Sequence, residues 1–144
     1  VGQMQTLLEN LYKQETTFGE TDFSALCGHL GKHVNKRSFL VLYTNFSNMT
    51  SLNRQLVYLQ QLARQHRVLV VFFEDADLKE YIAGKSVTTE DYYRHVIAEK
   101  FAFEKRLIVS TLKQHGIYSL LTTPDKLSID VINKYLEMKS RQLL

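Results

Sequence analysis

One proline, one cysteine and six glycines in 144 residues leave this chain with little that interrupts or staples a fold. A lone cysteine, Cys27, excludes an internal disulfide and fits a reducing compartment. Pro124 is the only proline, and no linker, low-complexity tract or internal repeat is visible, so one domain is expected. The few glycines form no phosphate-cradling loop, and no Ser-His-Asp or Cys-His arrangement sits on a strand-to-helix turn. No apolar run approaches the ~20 residues that cross a bilayer, and no signal peptide opens the chain. A cytoplasmic segment without membrane contact is the expectation. The net charge of +3, from 18 basic and 15 acidic residues, is spread along the chain. Without a basic stripe, nucleic acid is not expected as a partner.

Helical and strand patterns alternate, which argues for an α/β fold. Met4, Leu7, Leu8 and Leu11 share one face of a helix over 3–14. Thr21 or Asp22 caps a second helix reaching about Val34, with Phe23, Leu26 and Leu30 inward and Cys27 as a small buried hydrophobe. SFLVLYTN, residues 38–45, reads as a fully buried parallel strand whose carboxyl end opens onto a polar loop. Ser51 caps a helix over 52–66, and RVLVVFF, residues 67–73, is a second strand buried on both faces. After an acidic segment, Thr88 or Thr89 starts the longest helix, with Tyr93, Ile97, Phe101, Ile108 and Leu112 as its core stripe and Gly116 as its C-terminal cap. IYSLLTT, residues 117–123, is the third strand, and a last helix over about 127–142 carries Leu127, Val131, Ile132, Tyr135, Leu136 and Met138. The order αα, then β-α-β-α-β-α, predicts a three-layer α-β-α arrangement with a parallel sheet. Two helices precede the first strand, and the chain opens on Val1, so the expectation is the C-terminal half of a larger sheet.

Ligands in open α/β sheets bind outside the carboxyl ends of the strands, which singles out Thr44 and Asn45 with Ser47 beyond them. Glu74, Asp75 and Asp77 leave the second strand at the same end. Three carboxylates there suit a metal-dependent phosphohydrolase or nucleotide-handling site, and the simpler reading is a solvated loop with charges at a helix start. His29 and His33 have metal-pair spacing, but HLGKH lacks the glutamate of HExxH and reads as surface. His66 and His115 fall near helix ends, where a cation is favoured. Most of the Tyr and Phe residues are expected in the core, with Tyr92 and Phe103 as candidates for an outward face.

Several stretches, in order, carry a resemblance: FGETDFSAL, RSFLVLYTNF, LARQHRVLVVFF, TTEDYYRHVIAEKFAFEKRLIVSTLKQHGI and TTPDKLSIDVINKYLEMK. Together they resemble the C-terminal half of a von Willebrand factor A-type domain, and more narrowly a bacterial family of unknown function encoded beside MoxR-type AAA+ ATPases. The resemblance implies a metal-ion-dependent adhesion site built on three loops. Thr21 of GETD matches its threonine, Asn45 of YTNF stands where an aspartate is expected, and no Asp-x-Ser-x-Ser loop is present. A hard divalent cation wants charged oxygen ligands, so no metal is expected on this chain, with Mg²⁺ through Thr21 and Asn45 reserved for a longer protein. The implied function is a non-enzymatic docking module for a protein partner, with a MoxR-type ATPase as candidate. The longer protein is expected to be membrane-anchored, and the exposed sheet edge predicts a homodimer.

Overall fold

The computed structural model describes residues 2–15, 21–46, 48–74 and 88–144. In chain order these form α1 (Gly2–Tyr12), α2 (Phe23–His33), β1 (Phe39–Tyr43), α3 (Met49–Gln65), β2 (Arg67–Phe73), α4 (Thr89–Gln114), β3 (Tyr118–Thr122) and α5 (Leu127–Ser140). The fold is mixed α/β, with one parallel three-stranded sheet in the order β1-β2-β3 flanked by helices. Phe39 pairs with Arg67 and Tyr43 with Val71. Leu69 pairs with Tyr118 and Phe73 with Thr122. Both crossovers step the same way across the sheet, so right-handedness puts α3 and α4 on one face.

Alternation along the central strand divides the core. Val68, Val70 and Phe72 join Leu52, Leu59, Leu62, Ile108 and Leu112 under α3 and α4. Leu69 and Val71, equally buried, lie on the opposite face. That face is covered by α5, whose Tyr135 ring lies 5.8 Å from Phe39. Each such buried aliphatic contributes about 1.5–3 kcal/mol through removal from water. β1 differs from the expected fully buried strand. Phe39 to Leu42 are half-buried and Tyr43 is exposed, because β1 is an edge of the described sheet.

Helix ends are set by local chemistry. Asp22 caps α2 by accepting from Ala25 N at 2.9 Å. α3 starts earlier than expected, capped by Asn48 rather than Ser51: Asn48 Oδ1 accepts from Ser51 N at 2.8 Å. Thr88 opens α4 with a reciprocal capping box, its hydroxyl accepting from Asp91 N while Asp91 accepts from Thr88 N. α4 ends at Gly116, at φ +72°, where Gly116 N donates to Lys113 O and Ile117 N to Leu112 O. This is the paired bonding of a Schellman motif, with Leu112 and Ile117 both buried as its hydrophobic contact.

Three helical stripes face elsewhere than the periodicity predicts. Met4, Leu7, Leu8 and Leu11 of α1 are all exposed. On α5 only Met138 is buried, and Ile132 and Leu136 are exposed. On α4, Ile108 and Leu112 enter the core as expected, but Tyr93, Ile97 and Phe101 are exposed at 66%, 54% and 49%. Periodicity identifies a face, and it does not say what covers that face. His66 lies at a helix end as expected, buried at the C-cap of α3, with its Nδ1 accepting from Ser38 N at 3.3 Å. That bond ties the start of β1 to the end of α3. No helix among the described residues is long and apolar enough to cross a membrane.

Candidate functional site

Parallel strands bring their carboxyl ends to one rim, and there the first loop residues gather. Thr21, Thr44 and Asn45 line one cleft of about 230 Å³, together with Ser51 and Arg54. Two caps build its walls: Asp22 fixes the start of α2 and Asn48 the start of α3. Phe46 is the floor. Its ring is 2% exposed and stacks on Phe23 at 6.2 Å, pinning the loop after β1 to the first turn of α2. The sequence pattern marks this loop as polar, and Phe46 is its one large apolar residue. Thr44 N donates to Val71 O, so the ladder with β2 continues one residue past β1.

The residue that sequence reasoning misses here is Lys105. From the middle of α4 its Nζ donates to Asn45 Oδ1 at 2.5 Å and to Phe46 O at 2.9 Å. The ammonium also lies 5.5 Å from the centroid of the Phe72 ring. Burial pushes the Lys105 pKa below the usual lysine range, because the charged form loses solvent. Among the described residues no carboxylate pairs with it. The contact spans 60 positions in sequence, and only the packing of α4 across the sheet brings it about.

The remaining predicted residues separate. Thr122, at the rim of β3, is buried, and its hydroxyl donates to Asp130 Oδ2 at 2.5 Å on the α5 face of the sheet. Glu74 is half-buried after β2, and its backbone N donates to Thr122 O at 2.9 Å. Ser47, Asp75 and Asp77 lie outside the described residues. His29 and His33 are exposed, their rings 4.3 Å apart. Cys27 is buried, with Sγ 3.5 Å from Tyr58 O, and burial pushes its thiol pKa up.

The described residues of the rim do not assemble a ligand set for a divalent cation. Among the described residues no cluster of three or more His, Cys, Asp or Glu side chains could hold one. Of the two side-chain oxygens that the resemblance brings to this rim, those of Thr21 and Asn45, Asn45 Oδ1 already accepts from an ammonium. A divalent ion at that oxygen would meet the like charge of Lys105, with which no carboxylate among the described residues is paired.

α4 carries the rim outward. Its 26 residues span about 39 Å, while the 7 residues of β2 span about 23 Å. Since Lys105 reaches the loop after β1, the turns of α4 before it extend past the carboxyl ends of the strands. Tyr93, Ile97, Phe101 and Lys105 follow at successive i+4 spacing along this part. The three apolar members are exposed, and the cation stands at their base. Compared with family models, with curated proteins and with solved structures, the chain shows no match.

Proposed function

We propose that this chain is a non-enzymatic docking module that binds a protein partner along the rim and the outer part of α4. The observation that carries this is the exposed strip Tyr93–Ile97–Phe101. Aromatic and aliphatic side chains kept in water on one helix face are the composition of an interface core. The resemblance to the von Willebrand factor A-type family supports the same reading, and it supplies a MoxR-type AAA+ ATPase as the candidate partner. The 230 Å³ cleft suits a partner's side chain better than a small-molecule substrate, whose pockets usually span about 300–1,000 Å³.

A photo-crosslinking amino acid at Ile97, compared with one at Lys139 on exposed α5 surface, tests this in cells of the source organism. The expected result is a discrete adduct at Ile97 that is lost with Tyr93→Ser and Phe101→Ser, and none at Lys139. Its mass separates an ATPase from a second copy of this chain. Absence of any adduct at Ile97, or equal labelling at both positions, refutes docking on α4.

A further inference from the structure

Resting on that docking reading, we propose that Lys105 makes the rim a metal-free acceptor for a carboxylate. The ligand is the Asp or Glu side chain of an amphipathic segment whose apolar residues lie along Tyr93, Ile97 and Phe101. An ammonium has three N–H donors, and the two bonds formed here go to neutral oxygens, Asn45 Oδ1 and Phe46 O. One donor and the whole formal charge remain without an anionic partner among the described residues. The nearest acid of α2, Asp22, is held at its own helix cap by Ala25 N. Asn45 stands between the ammonium, which it orients, and the cleft lined by Thr21, Thr44, Ser51 and Arg54, so the third donor of Lys105 lies beside that cleft rather than within it. A carboxylate adds the attraction of a full opposite charge, which neither neutral oxygen supplies, and this gives the site its preference.

Geometry specifies the rest of the ligand. Tyr93 to Lys105 is three i+4 steps, about 18 Å along α4. A partner helix laid along that strip would carry its acid at one end and apolar residues at i+4 spacing before it.

The test uses the 144-residue chain in EDTA with an alanine-based helical peptide bearing Leu at i and i+4 and Glu at i+8, and its Gln counterpart. NMR titration should show the Glu peptide binding at least tenfold more tightly than the Gln peptide, about 1.4 kcal/mol. Lys105→Met should erase that ratio. Asn45→Asp should erase it too, by setting an internal carboxylate on the ammonium, while the thermal transition stays cooperative and does not fall. Equal affinities for the two peptides, dependence on added Mg²⁺, or tighter Glu binding by Asn45→Asp would overturn the proposal. A Phe101→Ser variant keeps the two ideas apart. If both peptides bind equally and both are weakened by Phe101→Ser, docking on α4 stands and the carboxylate site fails. If neither peptide binds, the carboxylate site fails while the crosslink at Ile97 still decides docking.

Discussion

The same backbone device closes two helices of this chain, once with glycine and once without, and the difference is measurable. At the end of α4, Gly116 sits at φ +72° and donates to Lys113 O, with Ile117 donating to Leu112 O. At the end of α5, Gln142 sits at φ +55° and donates to Lys139 O, with Leu143 donating to Met138 O. A side chain in this left-handed region crowds the following carbonyl, at a cost of about 1–2 kcal/mol. A Cβ added to Gly116 would meet nothing within 4 Å, so conformation alone sets the cost of Gly116→Ala at about 1 kcal/mol of lost stability. Gln142→Gly relieves that strain but makes the unfolded chain freer, which leaves a net gain of about 0.5 kcal/mol. Gly31→Ala supplies the control. It lies inside α2 at an exposed site where a Cβ likewise meets nothing, so it should gain about 0.8–1.0 kcal/mol from helix propensity. Urea unfolding followed by circular dichroism should therefore move the midpoint down for Gly116→Ala and up for the other two, at constant slope. Each kcal/mol corresponds to roughly 3 °C in Tm for a chain of this size. A neutral Gly116→Ala, or a loss with Gly31→Ala, would refute the claim that φ alone separates these sites.

Two further outcomes follow from burial. Leu59 is 0% exposed and Val57, two positions away on α3, is 66% exposed; Leu59→Ala should cost about 2–5 kcal/mol by urea denaturation and Val57→Ala no more than about 0.5. Because burial holds the Cys27 thiol protonated above its ordinary pKa, its stabilising contribution is present below pH about 8.5 and fades as pH rises through the shifted value; Cys27→Ala should therefore flatten the alkaline limb of the stability–pH profile, and an unchanged limb would contradict this.

What the sequence made legible was the sheet. RVLVVFF is apolar without alternation because β2 is covered on both faces, and its bounds, 67–73, are those of the strand. Thr88 with Asp91, and Gly116, announced both ends of α4 because caps are local chemistry within a few residues. The outward strips were misread for a physical reason. An i, i+3, i+4 pattern on α4 is the same whether the face meets this chain's sheet or another protein, and of the expected stripe only Ile108 and Leu112 are buried. The cleft was half legible. Thr44 and Asn45 lie on the rim because they follow a parallel strand, and Thr21, just before α2, is brought to them by the stacking of Phe23 on Phe46. Phe46 was hidden by its polar neighbours, and Lys105 by 60 positions of sequence.

Lys105 and Asn45 also explain each other. With an aspartate at position 45, the half-buried ammonium would gain an anionic partner, and the rim would close as an internal ion pair with nothing left to offer. With asparagine, the oxygen still orients the ammonium at 2.5 Å, but no carboxylate among the described residues compensates the charge. The neutral residue that weakens a divalent site is therefore the one that keeps a fixed cation available. α4 supplies both that cation and the exposed strip beginning at Tyr93, so a single rigid helix sets the spacing between them. An insertion of one residue into α4 between Phe101 and Lys105 would rotate the apolar strip by about 100° against the rim without removing any side chain. On this reading such an insertion separates the carboxylate preference from the apolar contact even where every named residue is still present.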